Sequence, residues 1–375
     1  MNNRLLESKH SFLLPEENFL PSPPYRLGSL PQNQESLDVS HSIDGRLAQF
    51  CGGELAESVS AVLRDSLLQP VGEIVGRPGK RLRGQLVRMC YRLVSDEPAP
   101  SLLASRRCQI GADVIELIHA GSLIVDDIED GSQVRRGAPA LHLQFGLPVA
   151  LNAGNWLYFW PFQLLKDMDL PDDRLLSLYE RYHSTMLKAH MGQAIDLGAQ
   201  VDRRRQDQVM PICLSALKLK TGALMGFAAL IGGAISGVPR SLLKSLDDFG
   251  CDLGVALQMF DDLGNLIGKC DPTKQYEDLA LCRPSWVWAR AASHLSAVDY
   301  RCFVAAARKL PDADALENLL SQLGLVALVR ESACGHLDRA FASLQECLES
   351  TDTAWSYPAL KELRQLGEEI AIAYG

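Results

Sequence analysis

Asp126, Asp127 and Asp130 close one apolar stretch of this 375-residue chain, and Asp261 and Asp262 close another, with Asn265 four residues after Asp261. Residues four apart share a face of a helix, so Asp126 points with Asp130 and Asp261 with Asn265, and all four are candidate metal ligands. Carboxylates crowded in this way repel and raise one another's pKa unless a cation lies between them. A hard divalent ion with oxygen ligands meets that demand, and Mg²⁺ commonly shares its shell with substrate phosphates. A single DDxxD is most simply a solvated acidic helix end. Two copies, each after an apolar run, instead form two walls of a cleft that grips a polyanion through a cluster of divalent ions.

Cations stand where such a polyanion needs them. Arg135 and Arg136 follow the first acidic motif, and Lys80, Arg81 and Arg83 lie beside glycines at a helix start. Backbone donors at a helix N-terminus combined with cationic side chains make an anion site of diphosphate size. His119 lies seven residues, two helical turns, before Asp126, and its phase directs it to the cleft as a donor. Lys220-Thr221-Gly222 within a helical pattern reads as a kink whose freed carbonyls face the cavity. Lys274 and Arg283, beyond the second motif, are further phosphate ligands. Gln193 and Asp196 share a helix face.

The elements that position these residues are helices. Helical periodicity runs from about residue 46 to the end with no convincing alternating strand, which gives one large all-α domain over 46–375. Helices are expected over 45–68, ending before Pro70, then from 85, over 101–130, 152–166 and 178–200, from 206 through the kink, and up to about 266. Residues 1–45 carry five prolines among Ser, Asn and Glu and read as a flexible extension. The net charge of −9, with no basic stripe, argues against a nucleic-acid partner. The ten cysteines form no CxxC, which suits free thiols in a reducing cytoplasm. The longest apolar stretch, 224–238, holds four glycines and stops at Pro239, so a core helix is expected and no membrane span. With no secretory or transit signal, a cytoplasmic location follows.

Five ordered segments carry a resemblance: GKRLRG (79–84), IHAGSLIVDDIEDGSQVRRGAPALH (118–142), GQAIDL (192–197), KTG (220–222) and LQMFDDLGNL (257–266). Together they are similar to the trans-isoprenyl diphosphate synthases, the polyprenyl synthetase family. DDIED before a small residue and Ser, the Asn152 to Phe159 segment, DDLGN and Glu277-Asp278-Leu279 most resemble geranylgeranyl diphosphate synthases. The resemblance implies a helical bundle around a deep apolar pocket, a homodimer, and three Mg²⁺ bound by Asp126, Asp130 and Asp261, with Asp127 and Asp262 in support. It implies that Arg135, Lys220 and Lys274 hold an allylic diphosphate. Lys80, Arg83, His119 and Arg136 would hold isopentenyl diphosphate, and Gln258 with the carbonyls near Lys220 and Thr221 would face the developing carbocation. Gly84 stands where Pro is common, and Arg283 where Lys is usual.

Product length in such an enzyme depends on the helix before Asp126. Gly121 and Ser122 place no aromatic there, and Leu117, Ile118 and Val114 lie one to two turns deeper as a floor. A helical turn of about 5.4 Å matches roughly one isoprene unit, so C20 is the expected product, with C25 next. The rival reading is a class I terpene cyclase, which also ionises a prenyl diphosphate. It holds only one diphosphate and has no need of the Lys80, Arg83 and Arg136 group.

Overall fold

Helices make up nearly all the regular structure of the residues that the computed structural model describes: 46, 50–53, 55–97, 99–269 and 274–374. The expected extension over 1–45 lies outside them. The chain enters through Glu57–Leu63, widens into a π-turn at Arg64–Leu68 and continues as Gln69–Gly76. The helix therefore passes Pro70, where the sequence reading ended it. Pro70 is the second residue of Gln69–Gly76, and a proline is tolerated at the start of a helical segment because the missing N–H is not needed there.

Helix α1 spans Leu82–Val94 and α2 spans Leu102–Glu129. Ser101 caps α2, its hydroxyl accepting the Ala104 N–H at 3.2 Å. A two-residue antiparallel ribbon follows, β1 Val134–Arg135 with β2 Ala138–Pro139. It is too short to leave an alternating pattern, so the sequence reading missed it. Helix α3 spans Leu147–Trp156 and then breaks, resuming as Trp160–Leu164. One helix was expected over 152–166. Pro161 has no N–H to give to an earlier carbonyl and starts a new segment instead.

The long helices α4 (Asp172–Gly198), α5 (Gln206–Leu217), α6 (Ala223–Ser236) and α7 (Arg240–Ile267) follow. Then come α8 (Trp286–His294), α9 (Leu325–Glu349) and α10 (Tyr357–Tyr374). Helix α6 is buried along almost its whole length and packs against α1, α2, α4 and α7. A helix that is apolar on every side belongs in a core. Both acidic helices, α2 and α7, lean on α6, and a single apolar cluster runs from Leu67 to Ile370. Leu102–Glu129 and Gln206–Ser236 are long and apolar enough to cross a membrane by length and composition, which counting uninterrupted runs did not reveal. The apolar windows of the two are 56% and 61% buried in the body, as core helices are.

Candidate active site

The expected kink is a π-turn, Lys218–Gly222, between α5 and α6. Turns of this kind often mark functional sites. Helix α4 meets it at Gly192, where a Cβ would lie 2.4 Å from the Lys220 nitrogen. Only glycine permits that approach, which brings Asp196 to Lys220: Nζ donates to Oδ2 at 2.8 Å and lies 3.7 Å from Asp126. Burial drives the Asp126 carboxyl up to about 6; Lys220 opposes this while Asp130, Glu129 and Asp196 add to it. Burial also disfavours the Lys220 charge, but Asp126 and Asp196 outweigh it and hold the ammonium above its usual range. Gln193, on the same face as Asp196, donates to Glu129 at 2.6 Å.

The second acidic helix meets the same turn. Thr221 Oγ1 donates to Gln258 Oε1 at 3.0 Å, and Gln258 Nε2 donates to Asp262 Oδ1 at 3.0 Å. Asp262 is buried and caps α8, accepting the Trp286 N–H at 2.6 Å. Burial raises the Asp262 carboxyl, and the neighbouring Asp278 raises it further. Asp261 is exposed, yet the protein around it still lifts its carboxyl, against the pull of Lys80, Gln258, Arg135 and Lys274. A cavity of about 140 Å³ lies here, its wall including Asp130, Asp196, Lys220, Thr221, Gln258, Asp262, Asp278 and Arg283. That is below the roughly 300 Å³ at which ligand sites begin, so the deep apolar pocket is not open at this point.

Several sequence-assigned residues take other work. Asp127 does not face the cleft: it is 1% exposed and pairs with Arg135, whose Nε lies 2.8 Å from Oδ1. Asn265, expected on metal, spends its amide on the next loop, donating to the Lys274 carbonyl at 2.7 Å and accepting the Asp278 N–H at 3.4 Å. Arg283 contacts carboxylates rather than an open anion site, pairing with Asp130 and, at 3.0 Å, with Asp196. Gly121 does not line a chain pocket. A Cβ there would sit 2.9 Å from the Gly154 carbonyl and from Leu157 Cβ, so it is the crossing point of α2 and α3. Ser122 donates to the His119 carbonyl at 2.8 Å, and Val114, Leu117 and Ile118 are core residues.

A second basic group lies beside the acidic walls. Burial, and then Arg83, Arg136 and Arg135, hold His119 well below the usual imidazole range, so its imidazole is neutral here. Lys80 acts on Asp261. The Gly84 N–H donates to Glu116 Oε1 at 2.9 Å, a bond that the more common Pro lacks. Of the six described non-glycine residues in the left-handed region, Arg81, Arg136, Tyr276 and Cys282 lie in or next to the cation-bearing loops, and Asp169 and Gln200 lie elsewhere. Such strain persists where surrounding structure fixes it, typically in binding loops.

Three further residues, which none of the motif assignments cover, hold the site together. Arg77 is buried and holds the ribbon that carries Arg135 and Arg136, donating to the Arg135 and Pro139 carbonyls at 2.9 Å each. Asp196 anchors both Lys220 and Arg283, and its place three residues after Gln193 was the available signal. Asp278 lines the cavity from the loop after Lys274.

No three His, Cys, Asp or Glu side chains converge as a self-sufficient metal centre among the described residues. Single carboxylates on facing walls, with burial and like charges raising Asp126 and the surrounding protein raising Asp261, fit a hard divalent ion held jointly with a phosphate ligand.

The family model described as polyprenyl synthetase matches residues 64–323. Geranylgeranyl diphosphate synthase of Sulfolobus acidocaldarius is 30% identical over 189 residues, covering 49% of this chain and 54% of that protein. Geranylgeranyl pyrophosphate synthase of Eremothecium gossypii is 30% identical over 212 residues, 55% of this chain and 62% of that protein. The chain thus spans little more than half the length of these relatives. The crystal structure of geranylgeranyl pyrophosphate synthetase from Pyrococcus horikoshii Ot3 superposes with a TM-score of 0.67 at 23% identity, covering 89% of this chain and 99% of that one. At that identity the likeness speaks for the all-α fold alone.

Proposed function

We propose, for a chain that belongs to the polyprenyl synthetase family, that it is a Mg²⁺-dependent trans-prenyltransferase. It joins isopentenyl diphosphate to an allylic diphosphate of five to fifteen carbons and makes mainly geranylgeranyl diphosphate. One observation carries this reading. Arg135 pairs with Asp127, and its charge also acts on Asp126 and Asp130 of the first acidic helix and on Asp261 of the second. One guanidinium within reach of both motifs supports a single shared site.

In this reading Asp126, Asp130 and Asp261 hold three Mg²⁺. Bound Mg²⁺ supplies neutralising charge to the departing diphosphate. Arg135, Lys220 and Lys274 orient the allylic diphosphate, and their fixed charges favour ionisation of its C–O bond. The hydroxyl of Thr221, the carbonyls of the π-turn and Gln258 turn their dipoles to the allylic cation. Lys80, Arg83, neutral His119 and Arg136 hold isopentenyl diphosphate so that its alkene meets C1 of that cation. The proton then leaves to the departed diphosphate, and no protein nucleophile takes part.

The nine described cysteines are free, which suits a reducing cytoplasm. Leu147, Leu151 and Phe159 on and beyond α3, and Leu187 and Met191 on α4, are exposed apolar side chains. The Tyr158–His190 ring contact at 5.1 Å joins the two groups. A surface of this kind marks association, and we place the homodimer contact there. The test is chromatography of products formed from isopentenyl diphosphate with C5, C10 and C15 primers and Mg²⁺. A main C20 product supports the reading; C15 alone, C30 and longer, or hydrocarbon made without isopentenyl diphosphate overturns it.

A further inference from the structure

Arg283 ties the end of the first acidic helix to α4. Its Nη1 donates to Asp196 Oδ2 at 3.0 Å and its Nη2 to Asp130 Oδ1, with the side chain 16% exposed. Three residues on, the Trp286 N–H donates to Asp262 Oδ2 at 2.6 Å. A strap of four residues, 283–286, therefore runs from the last carboxylate of the first motif to the buried carboxylate of the second. Pro284 in its middle fixes one backbone angle, and Pro284 and Ser285 are both buried. Asp196 anchors the strap from α4 and also holds Lys220, which reaches Asp126. Asp126 and Asp130 are thus held by two cations that share Asp196.

We propose that Arg283 is a positioning residue that latches the first acidic motif: it holds Asp130 until a divalent ion takes that carboxylate, and the strap carries the release to Asp262 and Trp286. The inference rests on the metal-dependent reading above. The residue type suits the task, because the planar guanidinium presents its two Nη groups in a fixed fork, one to each carboxylate, whereas a lysine ammonium is a compact charge on a flexible stem. The latch opposes metal binding, since the ion must displace a charge-assisted hydrogen bond. In exchange, occupancy at one wall is reported to the other.

The test is Mn²⁺ binding to the full chain with saturating inorganic pyrophosphate as the phosphate partner, read from the electron paramagnetic resonance of Mn²⁺ against a protein-free pyrophosphate blank, with tryptophan fluorescence recorded in the same titration. The native protein is expected to bind Mn²⁺ with a fluorescence change, and Trp286→Phe to bind equally while losing most of it. Arg283→Met is expected to bind about tenfold more tightly, the effect of one charge-assisted hydrogen bond, with a smaller fluorescence change. Arg283→Lys should fall between the two. Unchanged or weaker Mn²⁺ affinity in Arg283→Met overturns the latch. Should that variant fail to fold by circular dichroism, Arg283→Lys decides, and affinity equal to the native protein overturns it. If Mn²⁺ with pyrophosphate does not bind the native protein at all, the metal-dependent reading falls, and the latch with it.

Discussion

Asp127 and Arg135, eight residues apart, form a partly buried ion pair in which one carboxylate oxygen accepts from both Nε and Nη2 of the guanidinium. The pair fixes the start of the ribbon, and Arg77 fixes it again from below by binding the Arg135 carbonyl. Adjacent aspartates of the first motif therefore do different work: Asp126 faces the cleft, and Asp127 holds a cation in place beside it.

This division gives contrasting variants. Asp127→Ala leaves Arg135 without its partner and should lower stability by roughly 2–3 kcal/mol, below the value for a fully buried pair because Arg135 is partly exposed. Asp126→Ala should abolish turnover while leaving stability unchanged or higher, since it removes a carboxylate whose charged form burial disfavours. Thermal unfolding and product formation measured on both variants separate the roles. Equal loss of stability in the two would contradict them.

Asp113 on α2 provides a pH test away from the cleft. Burial lifts its carboxyl to about 6, against a hydrogen bond from Gln109 and the charge of Arg88. The ordinary value is 3.8, so the folded state binds the proton more tightly than the unfolded chain. The folding advantage of the protonated acid is whole below about pH 4 and is lost as pH rises through about 6. A shift of about two units corresponds to roughly 3 kcal/mol. Asp113→Asn should therefore be more stable than the native protein at pH 8, by up to that amount, with the difference closing near pH 4. Denaturant unfolding at the two pH values checks the sign.

The packing at Gly121 changes the expectation for product length. An aromatic at this position was expected to block the pocket, but any Cβ here meets the backbone of α3. Gly121→Ala should destabilise by about 1–3 kcal/mol through overpacking, with product length a secondary effect. The ring of Tyr158 stands 3.4 Å from that same point and packs on His190, and its hydroxyl is raised by burial and then by Asp126 and Glu129. It is thus the bulky group beneath Asp126. Tyr158→Ala should shift the main product from C20 to C25 or longer, as read by chromatography.

What could be read from the sequence was what depends on short spacing. The acidic ends of α2 and α7, the Ser101 start and the kink at Lys220 all follow from apolar periodicity and motifs a few residues long. The misread residues depend on partners far away in the chain. Arg283 meets Asp130 across 153 positions, and Arg77 meets Pro139 across 62. Asn265 was read as a ligand because its i+4 place matches Asp130, but the loop after it takes up both ends of its amide. Gly121 was judged by what its missing side chain left open, and only the crossing of α3 shows that the space is already filled.

Two diphosphate sites should be separable by kinetics. Lys80 acts on Asp261 from the α1 side, and Arg83 and Arg136 act on His119, whereas Lys220 lies against Asp126 and Asp196. Each hydrogen bond to a charged group is worth about 1.5–3 kcal/mol, or a change of roughly tenfold to a hundredfold. Arg83→Ala should raise the KM for isopentenyl diphosphate by about that factor and leave the KM for the allylic primer nearly unchanged. Lys220→Ala should lower kcat and weaken the primer, because its charge assists the ionising bond as well as the bound anion. A cyclase holds one diphosphate, so in that enzyme Arg83→Ala would leave consumption of geranylgeranyl diphosphate untouched. Steady-state kinetics with one substrate varied at a time distinguishes the cases, and equal effects of Arg83→Ala on both KM values would remove the second site.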